Sequence, residues 1–94
     1  MIVPVGSLLM ELYKSPSKKG FLVRKNKAEM PFAVQIINDA NSILCCEPEV
    51  DRFQAMIHRL WKAALVELSY DSISLTAAGM NTAETALICV ENRV

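Results

Sequence analysis

The chain lacks an excess of charge of either sign. Ten basic residues, ten acidic residues and one histidine give a formal net charge of zero over 94 residues. A domain that holds nucleic acid by bulk attraction normally carries a basic excess, so overall charge offers no support for that role. Cysteine is scarce: Cys45, Cys46 and Cys89 are an odd count with two adjacent. That pattern is a poor disulfide framework. Adjacent sulfurs also lack the C-x₂-C spacing with which two thiolates reach one tetrahedral metal. We therefore expect reduced thiols acting as small apolar side chains, no metal site, and a reducing, cytoplasmic location.

Glycine is equally sparse. Gly6, Gly20 and Gly79 stand too far apart to form a phosphate-cradling loop. No Walker A sequence, dinucleotide fingerprint, HExxH or G-x-S-x-G is present. His58 is the only histidine and has no carboxylate at catalytic spacing, while Ser15, Ser17 and Ser72 have no partner base. These absences lead us to expect no enzyme and no cofactor. No apolar run reaches the ~20 residues needed to span a bilayer, so no membrane partner is expected. The opening MIVPVGSLLMELYK has no basic region ahead of its apolar part, unlike a secretory signal. Repeats, low-complexity tracts and linkers are also missing, which leaves one domain over residues 1–94.

What is abundant is apolar surface. Hydrophobic residues make up 52% of the chain, which excludes disorder. A chain of this size buries ~60–65% of its unfolded surface, enough for one modest core. The surplus leads us to expect a homodimer, with Leu8, Leu9, Met10, Leu12, Leu87, Ile88 and Val90 of the first and last segments at its interface. The longest periodic run covers residues 47–68. There Val50, Phe53, Ile57, Leu60, Trp61, Ala64, Leu65 and Leu68 recur at spacings of three and four, the period of a helix with one buried face. Pro48 suits its first turn, and Glu47, Glu49 and Asp51 place negative charge where the helix dipole favours it.

Ahead of that run, residues 1–5 offer a short edge strand. Ser7 can cap a helix over residues 8–14, SPSKKG forms a loop, and Phe21, Leu22 and Val23 suit a brief strand. Residues 32–46 admit two readings. FAVQII and SILCC can flank a polar connection as a hairpin. Alternatively, residues 28–38 can form a helix, with Pro31 in its first turn and Phe32, Ile36 and Ile37 on one side. After the long helix, VELS and SISLT can pair around Tyr70 and Asp71, and Thr82 can cap a last segment.

The stretch RLWKAALVELSYDSISLTAAG, residues 59–79, resembles the back half of a winged-helix domain. In that family a recognition helix ends in a leucine-rich turn and a GLV or GLI step. A two-stranded wing then closes on LT-x-x-G before a terminal helix. The step here is Ala64–Leu65–Val66, with alanine in place of the family's usual glycine, and the closing motif is Leu75–Thr76–Ala77–Ala78–Gly79. The wing tip would fall on residues 70–72, which include Asp71 and no basic residue. The resemblance implies a small α+β, winged-helix-like domain, helices with a short antiparallel hairpin. It favours the helical reading of residues 28–38 as the scaffold helix.

The resemblance further implies a DNA-binding transcriptional regulator acting as a homodimer on double-stranded DNA. Its recognition positions fall on Arg52, Gln54, Ala55, His58, Arg59 and Lys62. Residues 14–27 carry six basic residues and no acid, so Lys18, Lys19, Arg24, Lys25 and Lys27 would contact the phosphate backbone. From Asp39 onward, eight acids oppose four basic residues. That acidic half, the zero net charge and the apolar surplus favour a different reading. It is a protein–protein interaction or adaptor module with a protein partner and no nucleic-acid contact, in which residues 32–46 are a hairpin beneath the long helix.

Overall fold

The computed structural model describes residues 2–38 and 41–91. They form an α+β domain of six strands and three α-helices. In chain order these are β1 (Ile2–Val3), a 3₁₀ turn (Val5–Ser7), α1 (Leu8–Lys14), β2 (Lys19–Val23), β3 (Ala33–Asn38) and β4 (Asn41–Cys46). α2 (Val50–Lys62), β5 (Val66–Leu68), β6 (Ser72–Leu75) and α3 (Ala77–Glu91) follow. The strands lie in one sheet in the order β1-β4-β3-β2-β6-β5. Only the β1–β4 pairing is parallel.

The helical reading of residues 28–38 is corrected. Residues 33–38 are strand β3, paired to β4 from Ala33↔Cys46 to Asn38↔Asn41 and to β2 through Phe21↔Gln35 and Val23↔Ala33. Local spacing permits either form, but the strand meets two neighbours at once and puts Val34 and Ile36 into the core. Its β-branched residues suit that half-buried, pleated setting. Residues 39–40 of the expected polar connection and the expected fraying at residues 92–94 lie outside the described residues.

α1 spans the expected residues, although Ser7 makes no side-chain cap bond. α2 is shorter than the apolar period suggested. It stops at Lys62, and Ala64 adopts φ 60°. The Ala64 N–H bonds to the Trp61 carbonyl and the Leu65 N–H to the Leu60 carbonyl, both at 3.0 Å. This paired closure by a left-handed residue ends the helix, and Val66–Leu68 turns into the sheet as β5. Phe53, Ile57 and Leu60 are the buried face of α2, each contributing about 1.5–3 kcal/mol by leaving water.

α3 starts six residues earlier than a Thr82 cap would place it, at Ala77. Thr76 is the cap: its Oγ1 accepts from the Gly79 N–H at 3.0 Å and donates to the Ala64 carbonyl at 2.6 Å. Gly79 lets the helix approach this turn, because a Cβ there would stand 2.0 Å from the Leu65 carbonyl oxygen.

The core lies on one side of the sheet. Leu8 and Leu12 of α1 and Phe53, Ile57 and Leu60 of α2 pack on Val34, Ile36, Ile43, Cys45, Ile73 and Leu75. α3 packs along α1 and β6 in the same chain. The expected interface through the first and last segments is corrected on this point. Leu8 and Leu12 have no exposed surface and are spent inside the chain, whereas Ile88 stays 48% exposed. The Val90 side chain lies outside the described residues.

Candidate interaction surface

α2 presents its predicted reading face in two separate halves. Arg52, Ala55, Met56 and Arg59 line an open depression of about 260 Å³ with Val5 and Glu47. Glu47 Oε1 accepts the Val5 N–H at 3.1 Å and so ties the chain start to the approach to α2. Arg52 pairs with Glu49 at 3.3 Å, both well exposed, an interaction of little energetic weight. Gln54 and His58 lie on the opposite flank. There, with Met30, Pro31, Phe53, Ile57 and Leu68, they border a mostly apolar groove of about 120 Å³. The His58 ring lies 5.8 Å from that of Trp61 at 42°. Lys62 sits in the last turn of α2, where a cation complements the helix dipole.

The front cations are dispersed and partly engaged. Lys18 Nζ donates to the Tyr13 carbonyl and stands 4.9 Å from the Tyr13 ring, closing the end of α1. The Arg24 guanidinium lies 4.0 Å over the Tyr70 ring and donates to the Tyr70 carbonyl. The Tyr70 hydroxyl donates to the Lys27 carbonyl at 2.6 Å. Arg24 and Lys27 thus latch the β2–β3 loop onto the β5–β6 turn. Lys25 is exposed in that loop, and Lys19 is on the far side of the sheet from the helices. The structure brings Arg52 and Arg59 together, and Gln54 and His58 together. It does not gather the eleven positions on one face.

The side of the sheet away from the helices was not anticipated. Strand alternation carries it: with Val34 and Ile36 turned into the core, Ala33, Gln35 and Ile37 point outward. Register puts their neighbours on the same face. One row across the sheet reads Ile2, Leu44, Gln35, Phe21, Ser72, and the next reads Cys46, Ala33, Val23. Ile2, Phe21 and Ile37 are 72%, 47% and 52% exposed, and Val23, Leu44 and Cys46 are half-buried. A sheet covered on one side normally shows water a polar face. Here the polar groups on the helix-free side are mainly Gln35, which donates to the Ser42 hydroxyl at 3.0 Å, Lys19, Glu67 and serines. The sequence signal was available in FLV, AVQII and ILCC, which are apolar on both alternating faces.

The two described cysteines differ in setting. Cys45 faces the core, and its thiol is pushed up to about 12 by burial, with Glu11 and then Cys46 adding to the effect. Cys46 points to the outer face. Among the described residues, no group of three or more His, Cys, Asp or Glu side chains is placed to hold a metal ion. Among the described residues, no helix is long and apolar enough to cross a membrane. No protein-family model, curated protein or solved structure matches the chain.

Proposed function

We propose that this domain is a protein–protein interaction module that engages its partner through the helix-free face of the sheet and makes no functional contact with nucleic acid. One observation carries the reading: Ile2, Phe21 and Ile37 are exposed on a face where Leu44, Val23 and Cys46 are only half-covered. Exposed apolar side chains grouped on one sheet face mark contact surfaces. The reading assigns no catalytic step, cofactor or metal.

A winged-helix DNA-binding regulator is the second reading. Its support is the order of elements over residues 59–79: a helix, a turn, a hairpin about residues 69–71, and Thr76 opening a further helix. Against it stand the β3–β4 hairpin, where a scaffold helix is needed, and cations held by Tyr13, Tyr70 and Glu49. Titration of the protein onto random duplex DNA at low salt separates the two. The interaction reading expects no binding up to about 100 μM, where nonspecific binders already respond. Salt-sensitive binding that disappears in Arg59→Glu and Lys62→Glu would overturn it.

A further inference from the structure

We infer that the occupant of the helix-free sheet face is a second copy of this chain, stacked sheet on sheet about a two-fold axis that runs along β3. The inference rests on the interaction reading above and names its partner. Its starting point is the register. On this face β3 carries Ala33, Gln35 and Ile37, with β2 on one side and β4 on the other. A two-fold axis parallel to β3, between two facing sheets, lays β2 of one copy over β4 of the other and keeps each cross-strand row facing itself. Phe21 then meets Leu44 of the second copy, and Val23 meets its Cys46. Ile37 packs beside its own mate. Each contact occurs twice, as an isologous interface requires.

The steric profile suits that axis. Ala33 on the central strand has no exposed surface, so the two sheets can approach to the usual ~10 Å with the bulk of Phe21 and Leu44 interdigitating to either side. Gln35 is the one polar side chain near the middle, and the axis places it beside its own mate. Gln35 already donates to the Ser42 hydroxyl at 3.0 Å, and its second N–H and carbonyl oxygen can exchange N–H···O bonds with the amide of the second copy.

Charge and area agree with self-association. The face holds Lys19 and Glu67, one of each sign, and the chain is neutral overall, so two copies do not repel. A charged partner such as a nucleic acid or an acidic peptide finds no complement there. Five strands overlap about that axis, with β5 left beyond the edge, and their 23 residues at about 3.4 Å rise and 4.8 Å spacing give a footprint of roughly 400 Å². Side-chain relief raises this to the order of 500 Å² per copy, or about 1,000 Å² in all, the size of weak and transient contacts. A dimer of that size is expected to dissociate in the micromolar range rather than be permanent.

Sedimentation equilibrium between about 1 and 200 μM tests this. The wild-type mass is expected to rise from 10.4 kDa toward twice that value. Phe21→Lys and Leu44→Lys are each expected to weaken the dimer at least tenfold with an unchanged far-UV spectrum. Ile88→Lys, on the exposed part of α3, is expected to leave it intact. Covalent capture supplies an independent arm. Within one chain Val23 and Cys46 are two strands apart, about 10 Å, too far for a disulfide. Val23→Cys in a Cys89→Ser background is therefore expected to give a disulfide-linked dimer on mild oxidation, and none when Cys46→Ser is added.

A mass of 10.4 kDa at every concentration overturns the second copy. It leaves the interaction reading standing, because that reading fails only on the DNA titration. A dimer that tolerates both lysines, or one broken by Ile88→Lys, also overturns the inference. So does oxidation that gives only monomer.

Discussion

Gly79→Ala opposes helix propensity to packing, and packing is expected to win. Inside a helix the change normally gains up to about 1 kcal/mol. At this position the new Cβ would stand 2.0 Å from the Leu65 carbonyl oxygen, 3.0 Å from its carbon and 3.1 Å from Leu75 Cδ2. The first two are backbone atoms of the turn that closes α2, so no side chain can swing away. Relief requires α3 to retreat from that turn by more than about 1 Å, since ordinary contacts begin near 3.4 Å. Two bonds cross that gap: the Thr76 N–H to the Leu65 carbonyl at 3.2 Å and Thr76 Oγ1 to the Ala64 carbonyl at 2.6 Å. Losing them costs about 1 kcal/mol each, and forcing volume into a packed junction adds about 1–3 kcal/mol. Net of propensity, a loss of about 2–4 kcal/mol is expected, a fall in Tm of at least about 10 °C for a domain of this size. Urea denaturation followed by far-UV circular dichroism measures it. A midpoint equal to or above wild type, with an unchanged m-value, refutes the packing argument.

Three further outcomes follow from neighbouring features. Thr76→Val removes both the cap of α3 and the bond to the Ala64 carbonyl and should cost about 2 kcal/mol. Thr76→Ser keeps both and should stay within about 0.5 kcal/mol in the same assay; equal losses in the two variants would contradict the cap. Ala64→Gly relaxes the residue at φ 60° and should stabilise by about 0.5–1 kcal/mol, with a fall in urea midpoint as the refuting result. With its thiol raised from 9.0 to about 12, Cys45 stays protonated in the fold. The contribution is complete below pH 9 and is lost as pH rises toward 12. The stability difference between wild type and Cys45→Val, measured in urea, should therefore be flat from pH 6 to 8 and shrink from pH 9 to 11. A difference that is constant throughout would show that the thiol is not held in its neutral form.

The elements most legible in the sequence were those fixed by local chemistry. α1 after Ser7, the core face of α2 with Phe53, Ile57 and Leu60, and the β5–β6 hairpin around Tyr70 and Asp71 all lie where period and turn residues put them. The failures are non-local. The choice between helix and strand at residues 33–38 is made by pairing with β2 and β4, which no window along the chain contains. The end of α2 depends on Ala64 taking a left-handed conformation that alanine does not advertise. The start of α3 was misplaced because Thr76 and Thr82 are equally good caps in isolation. Only the closeness of Gly79 to Leu65 picks the first. The recognition positions scattered because they lie on both flanks of α2, and Lys18, Arg24 and Arg52 found a local carbonyl, ring or carboxylate at Tyr13, Tyr70 or Glu49. The outer sheet face is not legible because FLV, AVQII and ILCC are apolar on both alternating sides, and only the placement of the helices decides which side stays uncovered.

The most direct test of the account asks whether that outer face is covered when the protein is concentrated. Solvent paramagnetic relaxation with a soluble gadolinium chelate reads the exposure of individual methyl and ring protons. At about 200 μM the Phe21 ring and the Ile37 and Leu44 methyls should be protected while the Ile88 methyls broaden, and the protection should disappear on dilution to a few micromolar. Phe21, Ile37 and Leu44 broadening as strongly as Ile88 at every concentration would contradict the claim that a second copy covers this face.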